Sequence, residues 1–264
     1  MSSFLLPKFQ NCKNLQVNKK YCFFCVYNEK VLKLDKCTGV ITIPFQSEIL
    51  SEISLRGCTR ITDKTLCDFT KNCPNLKTLG IFSFCILYSF LKDVSDTLIR
   101  CPSILFCSSL STFVANRQIS NKGVKRVLAA CPQLTILNLN QNPFITLKSL
   151  DYLLKFSETV SLTSISLAYH AYIDDEALDK LLKAYPKLTV LNITGTSVKT
   201  PKIDISTLEY LFLNDCKDLL FDSVDRIVTS CISLQSVELF NCKRINSVDL
   251  TRLQREYPFM DILF

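Results

Sequence analysis

The side chains best suited to chemistry in this sequence are thiols. Cysteine occurs 14 times in 264 residues, histidine once and tryptophan never. Cys22 and Cys25 have zinc-knuckle spacing, and Cys12 and Cys37 would complete four thiolates. A knuckle needs a tight turn between its cysteines, and here Phe23 and Phe24 fill the gap. Cysteines at i and i+3 then read as helix core, and no metal is assigned. His170 is the sole imidazole, so any histidine general acid or base must be this residue. Asp63 and Asp175 fall where helix caps are needed and are not paired as acid and base. Five glycines are too few for a phosphate-cradling loop, and neither GxGxxG nor GxxxxGK occurs. No catalytic residue and no cofactor are assigned, and an enzyme is not expected.

The elements that carry these residues repeat. Residues 50–76 read LSEISLRGCTRITDKTLCDFTKNCPNL. Counting Leu50 as position 0, Ile53 and Leu55 stand at 3 and 5, Cys58 at 8, Ile61 at 11, Asp63 at 13 and Leu66 at 16. The first half has the spacing of a short strand entering a turn. The second half, residues 63–73, predicts a short helix opened by aspartate and stopped before Pro74. One strand, one turn and one helix in about 26 residues predict an α/β fold, a leucine-rich repeat solenoid. Position 8 holds Cys58, Cys216 and Cys242, and also His170, which makes the histidine a turn residue that bonds backbone.

Residues 1–28 do not match the repeat and read as an N-terminal helical cap, closing an end that would expose core to water. Residues 29–264 carry about nine coils. Leu32 and Leu34 open the first, and Leu76 and Leu79 the third. Residues 82–111 have no regular register. The strand after them is expected to be anchored by Phe113 and Asn116, with serines where leucine belongs. The pattern returns at Leu134, Leu162, Leu188, Leu208 and Leu234. The return of the Leu188 coil, SVKTPKIDIS, holds Pro201 and alternating isoleucines, so it is predicted extended. A terminal strand is expected within residues 260–264.

A net charge of +7, with both signs interspersed, gives no nucleic-acid footprint. Hydrophobic content of 48% suits a repeat that buries a strand face and a helix face. The opening MSSFLLPKFQNCKNL lacks the charge-then-apolar order of a signal peptide. The cysteines therefore read as reduced, buried thiols of a cytoplasmic or nuclear protein. The apolar run at 79–91 is shorter than the roughly 20 residues a bilayer helix needs, so no membrane association is expected.

The pattern Leu-x-x-Leu-x-Leu-x-x-Cys, followed by Ile-Thr-Asp and closed by Cys-Pro-x-Leu, resembles the cysteine-containing repeats of F-box proteins and of the antagonist of mitotic exit network family. The resemblance covers about residues 29–264. It implies a curved horseshoe with its parallel sheet on the concave face and short helices on the convex face. Members mostly recruit substrates to Skp1–cullin–F-box ubiquitin ligases or regulate the cell cycle. Residues 12–30 resemble the tail that joins an F-box to its first repeat, so Skp1 is the partner implied for the N-terminal segment. The stretch ahead of the repeats is too short for a three-helix F-box, and the tryptophan usual in the tail is absent.

Function is expected on the sheet. Residues at positions 4, 6 and 7 flank the buried leucines and face solvent. The expected partner-binding residues are Arg56, Asn138, Asn140, Tyr169, Asn192, Phe212, Asn214, Asp215, Glu238 and Phe240. Lys33, Asp35, Phe82, Gln141 and Asn241 share those positions. Amide-rich middle coils beside aromatic rings make a protein-binding face. The expected function is a non-catalytic partner receptor linked to ubiquitin-ligase-dependent degradation or cell-cycle regulation. A stand-alone scaffold or inhibitor of a signalling protein that does not bind Skp1 is the alternative.

Overall fold

The computed structural model describes residues 30–34, 47–55, 72–82, 109–116 and 119–264. The N-terminal cap at 1–28, the candidate thiolates Cys12, Cys22, Cys25 and Cys37, the repeat residues Arg56, Cys58 and Asp63, and most of 82–111 lie outside them. The chain divides into two units, Met1–Leu134 and Thr135–Phe264.

Among the described residues the first unit carries four parallel strands: β1 (Val31–Lys33), β2 (Glu52–Ser54), β3 (Thr78–Phe82) and β4 (Thr112–Asn116). Their register aligns Leu32, Ile53, Leu79 and Phe113 in one buried row. This corrects the expected anchoring of β4. Phe113 is the central strand residue, with Leu110 and Ala115 buried on either side of it, and Asn116 ends the strand. The stretch from Leu110 to the start of the following helix is two residues shorter than the same stretch in the coils of the second unit, and counting back from Ile119 therefore overshot by two. A slip of two keeps every side chain on its own face, which is why Phe113 was still placed as core. Helix α1 (Asn121–Ala130) follows, burying Val124, Val127 and Leu128 at helical spacing.

The second unit alternates strands and helices: β5 (Ile136–Asn138), α2 (Leu147–Phe156), β6 (Ser164–Ser166), α3 (Asp175–Ala184), β7 (Val190–Asn192), β8 (Tyr210–Phe212), α4 (Phe221–Ser230), β9 (Ser236–Glu238), α5 (Ser247–Glu256) and β10 (Asp261–Leu263). Each strand pairs in parallel with the next. Leu137, Ile165, Leu191, Leu211, Val237 and Ile262 form the central buried row. Leu134, Leu162, Leu188, Leu208 and Leu234 line one side of it, and Leu139, Leu167, Ile193, Leu213 and Leu239 the other. Each such leucine or isoleucine contributes about 1.5–3 kcal/mol by burial. The coils form a leucine-rich repeat solenoid, and the ten strands among the described residues match about nine coils followed by the terminal strand expected at 260–264.

Helices α2 to α5 each start thirteen residues after the first leucine of their coil, and three have a side-chain cap. Thr146, Asp174 and Asn246 accept bonds from the backbone N–H groups of Lys148, Ala177 and Asp249. The cap of α3 is thus Asp174, not Asp175 as expected from the repeat. Asp175 reaches into the next coil instead, accepting bonds from Lys199 N (3.0 Å), Thr200 N (2.9 Å) and Thr200 Oγ1 (3.2 Å). That coil has no helix. Its return is extended as predicted, with Val198, Pro201, Ile203 and Ile205 buried. Lys199 O accepts a bond from Leu220 N, so coils on both sides hold the segment.

Candidate functional site

In each coil of the second unit the turn after the strand is set by a residue in the left-handed region. Gln141, Tyr169, Gly195, Asp215 and Asn241 occupy the same repeat position with φ between 55° and 65°. Only glycine adopts this conformation without strain, and the asparagine and aspartate side chains tolerate it better than tyrosine does. The turns are locked to one another. Gln141 N, Tyr169 N, Gly195 N and Asp215 N donate to Ala168 O, Thr194 O, Asn214 O and Phe240 O at 2.7–3.0 Å. The result is a rigid rim that extends the sheet ladder past the strand ends.

Position 8 lies below this rim and forms a buried polar row of Asn142, His170, Thr196, Cys216 and Cys242. His170 Nε2 contacts Leu139 O at 2.9 Å, one coil back, where Asn142 Nδ2 also donates. Cys216 Sγ and Thr196 Oγ1 share Ile193 O in the same way, and Cys242 Sγ donates to Leu213 O at 3.1 Å. This is the turn-backbone role expected of the position. Burial lowers the His170 pKa from its ordinary value, and the bond to Leu139 opposes that. Burial pushes the Cys242 thiol up to about 12 and the Cys73 thiol up to about 11, and it raises Cys216 and Cys231 as well. Thiols held this far up are protonated donors at neutral pH, not nucleophiles. Among the described residues no group of histidine, cysteine and carboxylate side chains is placed to hold a metal.

The solvent side of the sheet differs. Of the expected binding residues, Arg56 lies outside the described residues, and the other nine lie on the open face or rim of the second unit. Four of them serve the turns. Asn138 Oδ1 accepts from Asn140 N, and Asn192 Oδ1 from Thr194 N. Asn140 Oδ1 takes Ser166 Oγ and Ala168 N, and Asn214 Oδ1 takes Phe240 N. Tyr169 and Asp215 are brought together across two coils, with the phenol donating to Asp215 Oδ2 at 2.9 Å. The ring crosses Gly195 on the way, where a Cβ would stand 2.6 Å from Tyr169 Cδ1. Asn241 Nδ2 donates to Asp215 Oδ1, and Asn214 Nδ2 to Glu238 Oε2 at 2.7 Å. The bonds from Asn241 and Tyr169 hold the Asp215 carboxyl below its ordinary value. Phe212 is half-buried between strands, whereas Tyr169 is 49% and Phe240 45% exposed.

The expected set omitted Ile136, Val190, Tyr210 and Leu263, which share this face. The signal was available. Ile136, Val190 and Tyr210 stand at position 2, which precedes the buried position 3, so strand alternation turns them outward with position 4, where Leu263 stands. Tyr210 is 38% exposed and its hydroxyl meets Gln235 Oε1 at 3.2 Å.

No protein-family model matches the chain, and no curated protein matches it. Among solved structures it is similar to one described as the crystal structure of the Rad7 and Elc1 complex in yeast. That match has 16% sequence identity and a TM-score of 0.42, covering 89% of this chain and 76% of the other. No helix among the described residues is long and apolar enough to cross a membrane.

Proposed function

We propose that this chain is a non-catalytic protein-recognition module that holds a protein partner against the open face of β5–β10. The observation that supports this most is a division of labour within each coil. Among the described residues, His170, Cys216 and Cys242 are buried and bonded to main chain. The large apolar side chains Ile136, Tyr169, Tyr210 and Phe240 are exposed on a backbone fixed by the rim ladder. Rigid aromatic anchors on a fixed scaffold are what protein interfaces use. Within this reading the chain is a substrate or partner receptor in ubiquitin-ligase-dependent degradation or cell-cycle regulation. Its support is the cysteine-type repeat with its Ile-Thr-Asp and Cys-Pro-x-Leu signals.

Two measurements test the two levels. Replacing Phe212 and Phe240 by alanine is expected to weaken capture of a co-purifying partner at least tenfold, about 1.4 kcal/mol or more, with little change in thermal unfolding. Equal capture by wild type and variant would count against the face. Binding of purified Skp1 by the full chain supports the ligase-adaptor version, and failure to bind leaves a stand-alone receptor or inhibitor.

A further inference from the structure

We infer that the partner of this face inserts a cationic side chain, arginine or lysine, flanked by aromatic or aliphatic residues. The inference rests on the binding-face reading above and adds the chemistry of the partner. The chain is basic overall, at +7. Yet the charged residues on the open face and rim of β5–β10 are Asp215, Glu238 and Asp261, with Glu209 one residue ahead of β8, and neither lysine nor arginine stands at any of those repeat positions. None of the four belongs to an ion pair among the described residues. The cation that acts on Asp215 among the described residues is Lys217, two residues further on and exposed.

Register supplies the second half of the argument. Phe212 pairs with Glu238, and Glu238 with Leu263. A carboxylate therefore stands between two apolar side chains on adjacent strands, about 4.8 Å from each backbone. The donors that orient the carboxylates are neutral: Asn214 on Glu238, and Tyr169 and Asn241 on Asp215. They fix direction without cancelling charge. An acid seated among rings and aliphatic groups is complementary to a side chain with an apolar stem and a charged head. Lysine and arginine have that build, and their heads form charge-assisted bonds to carboxylates. The same charges repel nucleic-acid phosphates and anionic headgroups.

The test is selection of a random dodecapeptide display library on the full chain, followed by anisotropy titration of the synthetic winners. Winners are expected to place arginine or lysine beside a large apolar residue. The Asp215→Asn, Glu238→Gln pair should weaken them about tenfold, and raised salt should weaken wild-type binding more than that of the variant. The Glu209→Gln, Asp261→Asn pair alters side chains that make no bond among the described residues, and it should also weaken them, so a folding defect in the first pair does not end the test. Winners without cations that need Phe212 and Phe240 but ignore every carboxylate overturn this inference and leave the binding face standing. Winners indifferent to all these substitutions, or no winners at all, overturn both. A dimer in sedimentation velocity that competes with the winners makes a second copy the occupant and overturns the inference.

Discussion

His170 shows how context assigns a residue its role. A lone histidine in a sequence invites a catalytic reading, but its repeat position, shared with Cys216 and Cys242, gave it a structural one. The ring is 4% exposed and bonded to Leu139 O. Burial holds its folded pKa below the unfolded value of 6.5. The unfolded chain therefore binds the extra proton in the window between the two. This contribution to stability is complete above about pH 6.5 and is lost as pH falls through the folded value. His170→Cys, copying Cys242, is expected to cost about 1 kcal/mol at neutral pH and to remove that part of the acid-side decline. Melting temperatures at about pH 7.5 and about pH 5.5 check it. A variant that declines as steeply as wild type contradicts the assignment.

At the scale of the element, two adjacent carboxylates divide the work that the repeat pattern gave to one. Asp174 caps α3, and Asp175 holds the helix-free return of the next coil. Asp174→Ala is expected to cost about 1 kcal/mol in urea unfolding. Asp175→Ala should leave α3 intact and instead speed hydrogen exchange at the Lys199 and Thr200 amides. Exchange unchanged at those two amides would remove the clamp from the account. Gly195 carries the rim where Tyr169 crosses it, and alanine there combines positive φ with a clash at 2.6 Å. Gly195→Ala is expected to destabilise by about 1–2 kcal/mol and to release the Tyr169 hydroxyl from Asp215.

Elements of this kind were legible where composition encodes them directly. The spacing at 0, 3 and 5 located the strands, and Pro201 with its isoleucines marked the extended return. The cap was missed because aspartate occupies both positions 12 and 13, and periodicity cannot separate a cap from its neighbour. The β4 register was missed because a strand-to-helix connection shortened by two residues leaves no local mark, and Leu110 is followed by a serine and a threonine. Tyr210 was missed by an incomplete reading of strand alternation, not for lack of signal.

At the scale of the whole molecule, repetition makes architecture legible and hides function. Each coil states the core again, so one weak strand does not obscure the rest. Leu211→Ala is expected to cost about 2–5 kcal/mol, because the site is walled by coils on both sides and cannot collapse. The face has less redundancy: asparagine recurs at positions 4 and 6, but the apolar and charged side chains differ from coil to coil, and only the register shows which of them meet. Tyr169 with Asp215, and Glu238 between Phe212 and Leu263, are pairings made across coils that no single repeat contains.

The claim that this open face is where a partner sits is most directly tested by site-specific photocrosslinking in cells. A photoreactive phenylalanine analogue would replace Phe240 or Tyr210 on the face, or Val248, which is 76% exposed on α5. Discrete crosslinked products from positions 240 and 210, and none from 248, are predicted. Products from position 248 alone would contradict the account.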